Sequence, residues 1–232
     1  MASDFFRFKR FTIYQNRCAM KVGTDGTLLG AWACGGKRIL DIGTGTGLVA
    51  LMMAQRFPEA RVTAVDIDDA AVEQAARNVA ESVFAHQVVV LRADVRSFVT
   101  DSRFDTIVSN PPYYDNSLAC PDEKRTLARH TASLSYAELI RAAHQLLTED
   151  GVLSVVIPTE CRAKMEAEAT LAGFFKVREC AVKTTPRKNP RRYLLAFAKH
   201  SVPMPLIEEE ILEMQPGQRS DWYVRLTKEF YL

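Results

Sequence analysis

Apolar positions along this chain fall into two rhythms, short β-branched runs and longer stretches at helical spacing. Lys37 to Asp41 (KRILD) reads as a strand, and the apolar helical pattern after it runs from Leu48 to about Phe57, where Pro58 stops it. Arg61 to Val65 is a second β-branched run. Asp68 can cap a helix whose apolar positions are Val72, Ala75, Ala76, Val79 and Val83. Gln87 to Leu91 and Phe104 to Ser109 read as the third and fourth strands. Ser135 and Glu138 have the spacing of a capping box, and Tyr136, Leu139, Ile140, Ala143, Leu146 and Leu147 form the stripe of the helix it opens, with Gly151 closing it. Val152 to Ile157 is a fifth strand, Thr159 to about Leu171 a helix, and Phe174 to Val182 and Tyr193 to Ala198 the last two strands. Lys183 to Pro190 between them is too long and too basic for a tight hairpin. Trp222, Tyr223, Leu226 and Phe230 share one helical face near the end. Strands alternating with helices predict an α/β fold, a mostly parallel seven-stranded sheet with helices on both faces and an antiparallel edge.

Composition narrows this only a little. The 232 residues suit one domain, with 47% hydrophobic and 25% charged residues. No apolar run has the length of a membrane span, and the start (Phe5 to Phe11) mixes bases with aromatics and lacks an apolar signal core. Five cysteines, odd in number and never in C-x-x-C spacing, argue against a zinc site or a disulfide framework and for a reducing cytoplasm. A net charge of +2 means that any affinity for nucleic acid must come from local patches.

The chemistry concentrates at four strand ends. Ser109-Asn110-Pro111-Pro112-Tyr113 follows the fourth strand, and two prolines force the chain out of the sheet there. Asn110, before a proline, is pushed to an extended conformation. Its side-chain carbonyl and the backbone carbonyl of Pro111 can each accept one N–H of an exocyclic amine, which turns the nitrogen lone pair toward an electrophile. Tyr113 can stack on a base that has left its helix or loop. The same residues also suit a polyproline-like turn.

The other three strand ends suit a cofactor. Glycines 43, 45 and 47 allow close backbone approach, in D-x-G-x-G-x-G spacing rather than the G-x-G-x-x-G of nicotinamide enzymes. Asp66, followed by Ile67, can take both ribose hydroxyls of an adenosine. Asp94 can accept from an adenine amine, and Asp41 is placed to meet a cationic amino-acid group. Either Asp66 or Asp94 alone is also an ordinary cap or turn residue; Asp41, Asp66 and Asp94 are the acceptors that S-adenosylmethionine requires, and the glycine loop, Asp66, Asp94 and Asn110 all fall at strand ends.

This set resembles the class I S-adenosylmethionine-dependent amino-methyltransferases, with their Rossmann-like fold, over roughly residues 20 to 160. The stretch Arg17 to Trp32 and the Phe230-Tyr231-Leu232 ending are similar to bacterial methyltransferases of the adenine 3′ to the anticodon of a valine tRNA. The resemblance implies that residues 1–36 form a cofactor-covering or substrate extension, with Lys21, Thr24 and Asp25 in the cofactor pocket. Residues 24–26 also suit a helix-capping turn. It implies a tRNA anticodon loop as partner and no metal.

Basic patches fit such a substrate. Lys124, Arg125, Arg129 and His130 lie in a polar insertion, and Lys183, Arg187, Lys188, Arg191 and Arg192 form a run without an acid. Arg7, Lys9 and Arg10 alternate with phenylalanines, which suits either RNA stacking or a solvated surface. Other acceptors remain open: DNA adenine, rRNA or a protein glutamine. A nicotinamide-dependent oxidoreductase fits the glycine spacing poorly. A non-catalytic RNA-binding module on a decayed fold would not need the intact elbow.

Overall fold

A computed structural model describes residues 4–16, 21–112 and 134–232. Its centre is an eight-stranded sheet made of β3 (Arg38–Ile42), β4 (Arg61–Asp66), β5 (Val88–Arg92), β6 (Phe104–Ser109), β7 (Leu147–Pro158), β8 (Phe175–Lys183), β9 (Pro190–Ala198) and β10 (Leu206–Ile211). The spatial order is β10-β8-β9-β7-β6-β3-β4-β5. Every neighbouring pair is parallel except those made by β9 with β7 and β8. The mostly parallel sheet is thus as expected. It has one strand more than the apolar pattern announces, and its antiparallel strand lies inside the sheet rather than at the edge.

The extra strand, β10, is Leu-Ile-Glu-Glu-Glu-Ile. As an edge strand it has no second neighbour to bury it, so its acidic run carries no apolar alternation to read. A small hairpin follows, β11 (Glu213–Gln215) with β12 (Gln218–Arg219).

Successive strand residues point to opposite faces, and two cores result. Ile39, Val62, Val108, Val156 and Leu194 face helices α1 (Thr24–Trp32) and α2 (Leu48–Arg56). Leu40, Ile107, Val155, Ile157 and Leu195 face α4 (Tyr136–Leu146) and α5 (Arg162–Leu171). The first core also takes in Phe8 and Phe11 around the hairpin β1 (Phe5–Arg7) and β2 (Thr12–Tyr14), and Tyr223 and Phe230 from α6 (Asp221–Thr227) and beyond. Phe8 stacks on Tyr231 at 5.8 Å and on Phe11 at 4.7 Å. The N-terminal phenylalanines at 8 and 11 are therefore core, not a stacking platform for bases.

Two local expectations shift. Helix α3 (Asp69–Ala80) starts at the Asp68 cap, which accepts from the Ala71 N–H at 3.0 Å. Its buried face is Ala71, Gln74, Ala75, Asn78 and Val79, while Ala76 is exposed and Val83 is 60% exposed beyond the helix. Two buried amides rotate the stripe away from the one apolarity suggests. Gly151 caps no helix: α4 ends at Leu146 and β7 begins at once. The glycine is required by crowding, since a Cβ there would lie 2.8 Å from the Leu147 side chain and 3.0 Å from the Phe104 carbonyl.

The chain runs outward from β3 to β4 and β5, then returns to place β6 on the other side of β3. That reversal opens a crevice at the carboxyl ends of β3 and β6, where α/β sheets bind ligands.

Candidate active site

The loop after β3 is wound by its glycines. Gly43, Gly45 and Gly47 all have positive φ (71°, 57° and 81°), a region that other residues enter only with strain. The loop is strapped to the end of β4. The Val65 carbonyl accepts from the Gly43 and Thr44 N–H groups at 2.9 and 3.1 Å, and Asp66 Oδ2 accepts from the Gly45 N–H at 2.9 Å. A Cβ on Gly43 would meet nothing within 4 Å. Gly43 lines an open cavity of about 340 Å³, within the ~300–1,000 Å³ typical of small-molecule sites.

The walls of this cavity come from four places. The glycine loop gives Gly43 to Thr46, and Leu48 and Val49 open α2. The first turn of α1 gives Thr24, Asp25 and Gly26, with Lys21 and Gly23 before it. Asn110 stands at the end of β6, and Arg192 reaches in from β9. Ser109 Oγ donates to the Ile42 carbonyl at 2.9 Å, which ties the elbow to β3 just before the loop. Pro111 is buried and Pro112 half-buried.

Asp41 sits at the back, 1% exposed. Its Oδ2 accepts from Thr44 Oγ1 at 2.6 Å and from the Ala50 N–H at 3.1 Å. Burial pushes its carboxyl from 3.8 up to about 7, against the two hydrogen bonds, and the charge of Asp66 adds to the rise. An ionised Asp41 would therefore welcome a cation in the cavity.

Asp66 is half-buried and braced by the chain, Oδ2 on Gly45 and Oδ1 on the Asp68 N–H at 3.0 Å. Each oxygen keeps a lone pair for a further donor. Ile67 beside it is 43% exposed. Asp94 is gripped by Arg96, whose Nε and Nη2 lie 2.6–3.0 Å from the two carboxylate oxygens. That hydrogen-bonded guanidinium holds Asp94 below its ordinary range. Gly47, Asp66, Ile67 and Asp94 are not among the residues that wall the cavity; Asp66 is tied to its wall through the Gly45 N–H. The glycine cradle, the buried carboxylate and the braced Asp66 fit a cofactor with a cationic amino-acid end and a ribose; the Asp94 contact fits only alongside Arg96.

Comparison with known proteins bears on this geometry. The family described as methyltransferase small domain matches residues 27–186. The chain belongs to the methyltransferase small-domain family. A Phocaeicola vulgatus protein named tRNA1(Val) (adenine(37)-N6)-methyltransferase is 48% identical, covering 100% of this chain and 99% of its own. Proteins of the same name from Bacteroides thetaiotaomicron and Trichodesmium erythraeum are 46% and 42% identical with the same coverage. Among solved structures, a predicted O-methyltransferase from Agrobacterium tumefaciens superposes with a TM-score of 0.69 at 22% identity, covering 89% of this chain and 96% of its own. A glycopeptide N-methyltransferase complexed with S-adenosylmethionine superposes at 0.57 and 12% identity, covering 78% of this chain and 90% of its own. These likenesses show the Rossmann-like methyltransferase fold.

The basic residues among the described ones fall in three places. Arg192 does not point outward with the rest of its run: its Nε lies 2.7 Å from Asp25 Oδ1, in the cavity wall. Lys183 is paired with Glu209 of β10, an acid that the local sequence around Lys183 does not contain. Arg187, Lys188 and Arg191 are exposed, with no ion pair among the described residues. They sit at the sheet's carboxyl edge, because β9 is antiparallel and so begins where the parallel strands end. Tyr113, Lys124, Arg125, Arg129 and His130 lie outside the described residues.

Thr44 and Thr46 of the loop and Val49 of α2 also line the cavity and escape a reading centred on acids and glycines. Thr44 had a signal: a hydroxyl three residues after a carboxylate can hydrogen-bond back to it. Among the described residues no group of three or more histidine, cysteine or acidic side chains could hold a metal, and no helix is long and apolar enough to cross a membrane.

Proposed function

We propose that this chain is an S-adenosylmethionine-dependent methyltransferase of the exocyclic N6 amine of adenine, acting on adenine 37 in the anticodon loop of a valine tRNA. The name shared by its full-length relatives supports the substrate. The observation that carries the chemistry is Asn110 in the wall of the same cavity as the glycine loop and Asp41. Residues 1–232 act as one methyltransferase domain in the cytoplasm, with 1–36 covering the cofactor.

When bound, the cofactor supplies an electrophilic sulfonium methyl. Asp41 receives its cationic amino group, Asp66 its ribose hydroxyls, and the exposed Ile67 offers apolar surface to a flat base. Lys21, Thr24 and Asp25 close over it. An adenine amine is a weak nucleophile because its lone pair is shared with the ring. The Asn110 amide carbonyl and the Pro111 carbonyl each accept one of its hydrogens, holding the nitrogen in line. Catalysis is then mostly alignment. Asn110 takes up no proton at neutral pH, so the amine proton leaves to water after transfer. Tyr113 stacks on the extruded base, and Arg187, Lys188 and Arg191, with Lys124, Arg125 and Arg129, meet the phosphates.

Labelled cofactor offered to separate RNA, DNA and protein fractions tests the acceptor class: the label enters RNA. Label in DNA or protein alone would refute the substrate while leaving the site intact. Asn110→Ala should lower the transfer rate by roughly a hundredfold or more, as loss of a positioned polar contact does, with affinity for S-adenosylhomocysteine nearly unchanged. Equal losses in both would contradict the role given to Asn110.

A further inference from the structure

Asn78 is a polar residue in the middle of an apolar interface. It lies on the buried face of α3 and is fully buried. Its amide joins two segments that are far from it and from each other in sequence. Nδ2 donates to the Thr46 carbonyl at 2.8 Å and to the Tyr14 carbonyl at 2.9 Å, and Oδ1 accepts from the Tyr14 N–H at 2.9 Å. Thr46 belongs to the glycine loop and lines the cavity. Tyr14 ends the N-terminal hairpin.

The link continues past Tyr14. Gln15, 7% exposed, accepts the Val22 N–H on Oε1 at 2.8 Å. Val22 lies between Lys21 and Gly23, both in the cavity wall. A continuous line of hydrogen bonds, buried at Thr46 and part-buried beyond it, thus runs from the glycine loop through Asn78, Tyr14 and Gln15 to the segment before α1. It joins two parts of the cavity wall, Thr46 at one end and the Lys21–Gly23 segment at the other.

Burying a carboxamide is costly unless its donors and acceptor are all engaged, as they are here. A leucine of similar size on this face of α3 would be buried at less cost and make none of these bonds. Each segment has its own ties, the loop to the end of β4 and Asp25 of α1 to Arg192, and the Asn78 amide adds a hydrogen-bonded route from one to the other. The loop carries three positive-φ glycines, and α1 starts at Gly23 with no side-chain cap.

We propose that Asn78 is a positioning residue for the methyl-donor site, fixing the glycine loop and the N-terminal cover relative to each other. It touches no reactant and acts through Thr46, Tyr14 and, beyond them, Gln15. The proposal rests on the cavity being the cofactor site, but its first readout needs no cofactor.

The test is hydrogen exchange on the free protein, paired with binding of S-adenosylhomocysteine. Asn78→Asp keeps the shape and the acceptor for Tyr14 and loses both donors. Exchange should rise in two separate segments, 43–47 and 21–25, and the dissociation constant per folded molecule should rise roughly tenfold or more, the usual cost of an unpaired buried group. Met165→Ala serves as control, since it empties buried space in the other core; it lowers the melting temperature and leaves both readouts at the wild-type level. Gln15→Met, for use if Asn78→Asp does not fold, should raise exchange at 21–25 and leave 43–47 protected. Wild-type exchange in both segments of a folded but less stable Asn78→Asp, or a rise at 21–25 absent from Gln15→Met, would overturn the proposal. Failure of the wild-type protein to bind S-adenosylhomocysteine would instead refute the cofactor reading, and the exchange result would still decide the role of Asn78.

Discussion

Arg192 Nε lies 2.7 Å from Asp25 Oδ1, so an ion pair joins the first turn of α1 to β9 across the mouth of the cavity. Both side chains are less than a third exposed, at 21% and 30%. The pair connects the first turn of α1, in the cavity wall, to the strand that emerges from the basic hairpin. Asp25→Asn and Arg192→Met should each weaken S-adenosylhomocysteine binding by roughly three- to thirtyfold. The double variant should lose less than the sum, with a coupling of about 1 kcal/mol. A calorimetric double-mutant cycle measures this, and strict additivity would show that the two residues do not act on binding as a pair.

Asp41 makes binding and stability respond to pH in opposite directions. The folded chain holds its proton up to about pH 7, whereas the unfolded chain releases it near 3.8. Between those values the folded state binds more protons, so this group's stabilising contribution is complete below 3.8 and is lost as pH rises through 7. A cationic ligand needs the ionised form. Affinity for S-adenosylhomocysteine should therefore fall below pH 7, approaching about tenfold per unit. Asp41→Asn should bind weakly at all pH values and flatten both slopes, seen in melting curves and titrations from pH 5 to 8.

Gly43→Ala separates strain from occlusion. At φ 71° an alanine costs roughly 1 kcal/mol, and its methyl group enters open space in the cavity wall. A small drop in melting temperature should accompany a much larger loss of cofactor affinity. Proportionate losses would show that the position is only a turn.

The basic hairpin gives a graded test. Neutralising Arg187, Lys188 or Arg191 should weaken tRNA binding and reduce the slope of log K against log salt by about 0.7 for each lost contact to single-stranded RNA. Lys183→Met, which removes a charge already balanced by Glu209, should change the slope far less. Filter binding at several salt concentrations distinguishes them.

What the sequence disclosed was the local part. The strand ends near Ile42, Asp66 and Ser109 could be found from β-branched runs followed by glycine, acid or proline, because those breaks are made by neighbouring residues. Relations across long loops could not. Nothing near Arg192 indicates Asp25, and nothing near Lys183 indicates Glu209, so both lysine and arginine looked equally available to RNA. The aromatics Phe8 and Phe11 read as surface until Tyr231 and Phe230 closed over them. Asn78 hid for the same reason, since a buried amide breaks the apolar stripe that identifies a helix face.

The most direct measurement of the central claim is methyl transfer from labelled S-adenosylmethionine to bulk bacterial tRNA, followed by nucleoside analysis of separated isoacceptors. The account predicts label in N6-methyladenosine, confined to a valine tRNA and lost with Asn110→Ala. Unlabelled tRNA, from a protein that still binds S-adenosylhomocysteine, would contradict it.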